Sequence, residues 1–195
     1  MKRPYVPFLA ALACAVALVG AIMTGGSPGT PEGYHRGKDG TLTIDSAHRP
    51  AAPDFTGSGA DGSPVRLSDY AGKTVVVNAW ASWCGPCRKE TPVLVGYHRK
   101  MKDQGVVVLG LNRDASANAA RAFAREFHMP YPSILDPGGK QLFALPKGLL
   151  TTQGLPVTLV VDARGRVAST ASGALGEGRL EELVAAARAG SPAGR

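Results

Sequence analysis

The sequence predicts an α/β domain in which a central mixed β-sheet is flanked by helices. Two apolar runs, Thr74–Trp80 and Val106–Leu111, show no polar alternation, as expected for strands buried on both faces of a mainly parallel sheet. Segments with helical spacing follow both runs, which is the order of βαβ units. Two later strand-like runs are joined only by Ala163–Gly165, too few residues for a helical crossover, so that pair must be antiparallel.

The elements before and after the first buried strand have clear boundaries. Asp54–Thr56 and Pro64–Leu67 flank a Gly-containing turn and predict an N-terminal β-hairpin. Thr74–Trp80 is expected to be a middle strand of the sheet. The helix after it begins at Cys84 and runs to about Gln104.

The remaining elements continue the alternation. Ser116 caps a helix that reaches Phe127. A short strand, a short helix, a β-hairpin and a closing helix follow, and they are predicted at Tyr131–Asp136, Lys140–Leu145, Val157–Thr170 and Glu177–Ala189.

Composition indicates one globular core. The chain has 195 residues, of which 44% are hydrophobic, and a formal net charge of +7. Basic residues are interleaved with Asp and Glu, and no arginine-rich helix or aromatic-basic stripe occurs. Nucleic acid is therefore not an expected partner.

The N-terminus indicates export. Lys2 and Arg3 precede an apolar run, Val6–Met23, and small residues suited to signal cleavage end at Gly26. Residues 1–26 are thus predicted to be a signal peptide or an N-terminal membrane anchor, and either places the domain outside the cytoplasm. Lipidation at Cys14 is disfavoured, because the apolar run continues well past this cysteine.

Three further segments are expected. Residues 27–50 are rich in Gly, Pro and charged residues and predict a linker with one short possible strand, Thr41–Ile44. The folded domain is predicted at residues 51–189, and residues 190–195 form a frayed tail.

Trp83-Cys84-Gly85-Pro86-Cys87 carries the predicted chemistry. A sulfur in the first turn of a helix lies against unpaired N–H groups and the positive end of the helix dipole, which favour the thiolate. Cys84 is therefore predicted to attack disulfides, and Cys87, on the same helix face, to resolve the mixed disulfide. The two cysteines are expected to cycle between a dithiol and a redox disulfide.

Other interpretations of the cysteine pair are weaker. A structural disulfide closing so small a loop contributes only about 2 kcal/mol in the chain-entropy model. A zinc site needs a second ligand pair, yet the third cysteine is Cys14 and no histidine pair has ligand spacing. We therefore expect no metal and no cofactor.

The run from Asn78 to Pro92, Asn-Ala-Trp-Ala-Ser-Trp-Cys-Gly-Pro-Cys-Arg-Lys-Glu-Thr-Pro, resembles the TlpA/ResA-like branch of the thioredoxin superfamily. The resemblance covers about residues 51–189. It implies a thioredoxin-like fold with an N-terminal β-hairpin extension, a dithiol mechanism and, in many members, a role in keeping apocytochrome c cysteines reduced.

The resemblance also implies further site residues. Leu155 and Pro156 match the loop with a cis-proline that faces the active disulfide; the alternative is an ordinary proline at a strand start. Asn78 stands where cytoplasmic thioredoxins carry a buried carboxylate, so the proton-transfer role is assigned to Glu90, unless Glu90 faces solvent near the helix start. Trp83 is predicted to form an apolar surface for protein substrates, whereas Trp80 is predicted to be core.

The predicted function is that of an extracytoplasmic protein thiol-disulfide oxidoreductase, and the Gly-Pro dipeptide favours a disulfide reductase. Its expected partners are exported proteins with reducible disulfides, including apocytochrome c, and a membrane electron donor that reduces it again. Two alternatives remain. A peroxiredoxin-like peroxidase is disfavoured because Ala81 replaces the Thr or Ser expected three residues before Cys84. A Sco-like copper-delivery protein is disfavoured by the tight cysteine spacing.

Overall fold

Strand Thr74–Trp80 lies in the interior of a seven-stranded sheet in the computed structural model, which describes residues 31–150 and 154–189. The strands run, in chain order, β1 Tyr34–Arg36, β2 Leu42–Ile44, β3 Thr56–Ser58, β4 Pro64–Arg66, β5 Thr74–Trp80, β6 Val106–Asn112, β7 Ser133–Leu135, β8 Val157–Val161 and β9 Val167–Ser172. The α-helices are α1 Gly85–Met101, α2 Ala117–Glu126, α3 Lys140–Phe143 and α4 Glu177–Arg188. Two short 3₁₀ helices span Leu67–Tyr70 and Lys102–Gln104.

The sheet is mixed, as predicted. Its strand order is β1-β2-β9-β8-β5-β6-β7, with β5, β6 and β7 parallel and the other pairs antiparallel. β5 is a middle strand between β6 and β8, and all seven of its residues are buried, which explains why it shows no polar alternation. The predicted N-terminal hairpin is present as a separate two-stranded sheet, β3-β4.

Alternate residues of β5 enter two different cores. Val75, Val77 and Ala79 pack into a cluster that also contains residues of the β3-β4 hairpin and of the segment around α3. Val76 faces the opposite way and packs with apolar residues of α1 and α4. At the carboxyl end of the strand, Trp80 stacks on Phe123 of α2, with ring centroids 4.5 Å apart. Helices and the hairpin thus cover both faces of the sheet.

Residues 33–50 correct the predicted linker. β1 and β2 form an antiparallel hairpin, and β2 pairs with β9, so this segment extends the main sheet. Leu42 and Ile44 enter the core, because alternate residues of β2 face the same way. The prediction of a linker over these residues was wrong, and the folded domain begins well before residue 51.

Arg49 holds the same segment in place. Its buried guanidinium donates to Asp162 across 3.1 Å and to the carbonyls of Ala186, Ala187 and Ala189 at the end of α4. A cation at a helix C-terminus pairs with unbonded carbonyls and with the negative end of the dipole. The N-terminal segment is therefore anchored to the last helix.

Several predictions lie outside the described residues, namely the signal peptide or anchor at 1–26, residues 27–30 of the linker, and the tail at 190–195. Over residues 31–150 and 154–189, no helix combines the length and apolar character that a membrane span requires.

Candidate active site

The cysteine pair lies where β5 meets α1. The backbone N–H of Cys84 donates to the carbonyl of Ala81 across 3.1 Å, which closes a turn after the strand. Cys84 is the N-cap residue of α1, and Pro86 lies in the first helical turn, where its missing N–H costs no hydrogen bond. Cys84 and Cys87 form a disulfide with a Cα–Cα distance of 5.3 Å.

The two sulfurs have different surroundings. Cys84 is 5% exposed and Cys87 is 1% exposed, within a cluster that contains Trp80, Ala81, Ala120 and Phe123. The sulfur of Cys84 accepts the backbone N–H of Cys87 across 3.2 Å. A negative sulfur at this N-cap position gains both from that donor and from the helix dipole. The geometry therefore favours Cys84 as the thiolate and Cys87 as the shielded thiol.

Glu90 is buried on the same helix, three residues after Cys87, and only 1% of it is exposed. Its Oε2 accepts the side-chain amide of Asn78 across 2.9 Å, and its Oε1 accepts the backbone N–H of Leu175 across 3.1 Å. Burial raises the pKa of Glu90 to about 7, although hydrogen bonds from Leu175, Asn78 and Thr158 oppose the shift. The structure excludes the solvent-facing alternative for this residue.

A carboxyl group with a pKa near 7 can exchange a proton at neutral pH. Residues at positions i and i+3 share a helix face, so the Glu90 carboxyl lies on the Cys87 side of α1. Asn78 and Thr158 contact each other as well, across 3.0 Å, and neither carries a charge. The three polar side chains form a buried group on the Cys87 side of α1 in which only Glu90 titrates near neutrality.

Leu155 and Pro156 precede β8. Their peptide bond is cis, as the resemblance implied. Leu155 packs against the cluster that contains both cysteines, and the carbonyl of Pro156 accepts the N–H of Gly173 across 2.9 Å. The structure thus brings this loop to the disulfide.

The two tryptophans take the places predicted for them. Trp80 is buried, and its indole N–H donates to the hydroxyl of Ser133 across 3.2 Å. Trp83 is 70% exposed and lies directly before the nucleophile. An exposed indole of this size beside a reactive sulfur is an apolar surface that is open to contact.

Sequence reasoning missed several residues around the site. Thr158 and Leu175 bind the Glu90–Asn78 pair from β8 and from the loop before α4. Asp114, just after β6, accepts hydrogen bonds from Ser82 in the turn before Cys84. A polar residue at the carboxyl end of a buried parallel strand is the only sequence signal that marks Asp114.

Arg88 is partly buried against α2. Its guanidinium lies 5.3 Å and 5.0 Å from the ring centroids of Phe123 and Phe127, and it pairs with Glu126. This contact fastens the start of α1 to α2.

His98 and His35 have partners other than the cysteines. His98 is buried, accepts the N–H of Val108 at Nδ1 across 3.1 Å, and has a pKa lowered by burial. His35 pairs with Asp45 on the surface. Across residues 31–150 and 154–189, no group of three or more His, Cys, Asp or Glu side chains is arranged to hold a metal ion.

The CxxC disulfide lies at the N-cap of α1, and the same helix carries a buried carboxyl group. A cis-proline loop packs on the cysteine cluster, and all of these features stand on a mixed sheet. This combination defines a thiol-disulfide oxidoreductase with a thioredoxin-like fold. Comparison with known proteins supports this class. The family model described as Redoxin matches residues 47–186. The chain belongs to the redoxin family and is a TlpA/ResA-like thiol-disulfide oxidoreductase.

Among curated proteins, the thiol-disulfide oxidoreductase ResA of Bacillus thuringiensis is 31% identical over 136 residues, which cover 68% of this chain and 74% of ResA. Among solved structures, a secreted thiol-disulfide isomerase from Corynebacterium glutamicum has a TM-score of 0.66 and 30% identity, covering 80% of this chain and 93% of that one. A DsbF homologue from Corynebacterium diphtheriae also has a TM-score of 0.66, with 32% identity and coverage of 80% and 99%.

Proposed function

We propose that this protein is an extracytoplasmic protein-disulfide reductase, and that Glu90 accepts the proton of Cys87 during each turnover. The observation that carries the proposal is the buried Glu90 carboxyl, whose pKa is raised to about 7 on the Cys87 side of α1. A reductase must deprotonate its second, shielded thiol, and a buried base poised at neutral pH performs that step.

The reaction balances in two steps. The thiolate of Cys84 attacks one sulfur of a substrate disulfide, forming a mixed disulfide and displacing the other substrate sulfur as a thiolate, which takes up a proton. Cys87 then gives its proton to the Glu90 carboxylate and attacks the Cys84 sulfur. The second substrate thiolate leaves and is protonated. The substrate gains two electrons and the protein becomes the Cys84–Cys87 disulfide.

The N-terminal sequence supports the extracytoplasmic location. Lys2, Arg3 and the apolar run Val6–Met23 have the pattern of an export signal or anchor. The Corynebacterium glutamicum relative is described as secreted. Outside the cytoplasm the protein needs an electron donor that crosses the membrane, and we assign its re-reduction to such a carrier.

The surface around Cys84 supports a polypeptide substrate. Trp83 is exposed directly before Cys84, and Leu155 packs on the cysteine cluster from the loop before β8. We propose c-type apocytochromes as substrates, because haem attachment at a Cys-x-x-Cys-His site needs both thiols free and an oxidising compartment pairs them.

The test is stoichiometric exchange between the dithiol protein and a peptide carrying an oxidised Cys-x-x-Cys-His segment, followed by mass spectrometry. We expect one peptide reduced per protein oxidised. Trp83→Ala should slow the reaction with the peptide but not with a small disulfide such as oxidised glutathione. An exposed-aromatic control, Phe143→Ala, should leave both rates unchanged. Failure to reduce the peptide, together with rapid consumption of peroxide, would replace the reductase with a thiol peroxidase.

A further inference from the structure

Asp114 lies two residues beyond β6, and its side chain is buried. Both carboxylate oxygens lie 3.1 Å from the backbone nitrogen of Ser82, and Oδ1 also accepts the Ser82 hydroxyl across 2.8 Å. Oδ2 accepts the side-chain amide of Asn112 across 2.8 Å. Each of these oxygens acts as an acceptor, as in an ionised carboxyl group.

Ser82 belongs to the turn that delivers the nucleophile. The turn begins at buried Ala81 and is closed by the Cys84 N–H on the Ala81 carbonyl, so Ser82 and Trp83 are its two central residues. The clamp from Asp114 holds Ser82 inward while Trp83 points to solvent. This anchor fixes the position of Cys84 at the N-cap of α1. A reacting group keeps its geometry only when hydrogen bonds and packing fix the residues that support it.

Two further bonds make the clamp rigid. The carbonyl oxygen of the Asn112 side chain accepts the backbone N–H of Asp114 across 3.1 Å. The N–H of Arg113 donates to the carbonyl of Trp80 across 2.9 Å. The carboxyl ends of β5 and β6 are thereby tied to each other and to Asp114.

The same contacts place a carboxylate near the backbone of Cys84. Ser82 and Cys84 are two residues apart, a separation of at most about 7 Å along the chain. The Asp114 carboxylate lies 3.1 Å from the Ser82 nitrogen, so it lies within about 10 Å of the Cys84 backbone. The site is largely screened from water, and a carboxylate at this range disfavours a second negative charge. It acts against the helix dipole, which favours the Cys84 thiolate.

We propose that Asp114 is a positioning residue for thiol–disulfide exchange, which holds the Ala81–Cys84 turn through Ser82 and makes the dithiol a stronger reductant by opposing the Cys84 thiolate. A less stable thiolate makes the reduced form less stable and electron donation more favourable. This inference rests on the proposed reductase chemistry of Cys84, but it concerns the cysteine couple itself and holds for any substrate.

The test is the equilibrium of the cysteine pair with a glutathione redox buffer, together with the rate at which Cys84 is alkylated at pH 7. In Asp114→Asn the pair should shift toward the dithiol, and alkylation should be faster by roughly two- to fifteenfold, the range expected for one charge at this distance. Asp114→Glu keeps the charge and should remain close to the parent. Arg88, Lys89 and Glu90 on the first turns of α1, and Glu126 of α2, which pairs with Arg88, are the same in every variant.

Asp162→Asn is the matched control. Asp162 is also buried and binds Arg49 and Arg166. It follows β8, which is antiparallel to β5, so it lies near the start of β5, whereas Cys84 follows the end of β5. It should lower stability and leave the equilibrium and the alkylation rate unchanged. An Asp114→Asn variant that loses stability yet keeps the parent equilibrium and rate would overturn the proposal, because Asp114 would then act only on folding.

Ser82→Ala provides a second variant, since it removes only the 2.8 Å bond to Asp114. It should slow exchange with a peptide disulfide by about two- to fivefold, because the turn is held less firmly. A parent-like rate would contradict the positioning role even if Asp114→Asn did not fold. The equilibrium of the cysteine pair with glutathione can be measured whether or not the parent reduces the oxidised peptide. A failure of this inference can therefore be told apart from a failure of the reductase proposal.

Discussion

The side-chain amide of Asn78, in the middle of β5, donates to the Glu90 carboxyl on α1 across 2.9 Å. This contact joins the central strand to the helix that carries both cysteines. It also leaves the carboxyl with a neutral partner, so no cation offsets the cost of burying its charge. That is why the pKa of Glu90 rises to about 7 despite several hydrogen bonds.

The raised pKa of Glu90 predicts how stability depends on pH. The folded protein keeps the Glu90 proton up to about pH 7, whereas the unfolded chain releases it near the ordinary value of 4.5. Between these values the folded state binds more protons, so this group's contribution to the free energy of unfolding falls as pH rises. Glu90→Gln removes that contribution. Relative to the parent, the variant should gain up to about 3 kcal/mol between pH 4.5 and pH 8.

Chemical denaturation of the oxidised proteins across this pH range measures the difference. Any constant cost of the substitution cancels, because only the change with pH is compared. Glu182→Gln, at an exposed position of the last helix, should run parallel to the parent. A parallel curve for Glu90→Gln would show that the carboxyl titrates at its ordinary pH.

Glu90 should also shape the reactivity of the reduced protein. A carboxylate on the Cys87 side of the helix opposes formation of the Cys87 thiolate, so Glu90→Gln should move the upper part of the pH profile of thiol reactivity to lower pH. The two thiols and the carboxyl interact and are best fitted as one coupled set. Superimposable profiles for parent and variant would remove Glu90 from the proton-transfer step.

The two cysteines should differ in alkylation. Cys84 lies at the helix N-cap and is 5% exposed, whereas Cys87 is 1% exposed inside the cluster around Trp80. With limiting iodoacetamide at pH 7, peptide mapping should find Cys84 labelled first. In Cys84→Ser, Cys87 should react slowly. Preferential labelling of Cys87 in the parent would reverse the assigned roles.

The packing around Trp80 predicts a matched pair of glycine variants. A Cβ on Gly110 would lie 2.7 Å from the Trp80 indole nitrogen and would overlap the side chain of Ser133, its hydrogen-bond partner. Gly110→Ala should therefore lose about 1–3 kcal/mol of stability. Gly96, on the exposed side of α1, has open space around it, so Gly96→Ala should gain about 0.5–1 kcal/mol. Thermal unfolding of both variants measures the contrast.

The β5–α1 unit could be predicted from sequence because its signals are local. A continuous apolar run, a cysteine at the N-cap and Pro86 in the first turn specify strand, turn and helix without reference to the rest of the chain. The cis-proline loop was found through family resemblance. No local pattern around Leu155 and Pro156 shows that they meet the disulfide.

The failures involve contacts between distant residues. Tyr34–Arg36 lies among Gly, Pro and charged residues, and three residues give too little alternation for a strand to be recognised. Leu42–Ile44 was predicted only as a possible short strand inside a linker, not as part of the main sheet. Their position is fixed by β9 and by Arg49, which binds Asp162 more than a hundred residues away. Burial of Glu90 likewise depends on Leu175 and Thr158. Sequence spacing gave its helix face but not the elements that cover it.

The central claim is that Cys84 reduces disulfides of exported proteins and that Cys87 releases them. Replacing Cys87 by Ser blocks release, so in cells the variant should accumulate covalent complexes that disappear on adding dithiothreitol. Mass spectrometry should find exported proteins joined to Cys84, with c-type apocytochromes among them, and Cys84→Ser should show none. If no such complexes form in Cys87→Ser while the purified parent dithiol rapidly consumes peroxide, the protein is not a disulfide reductase.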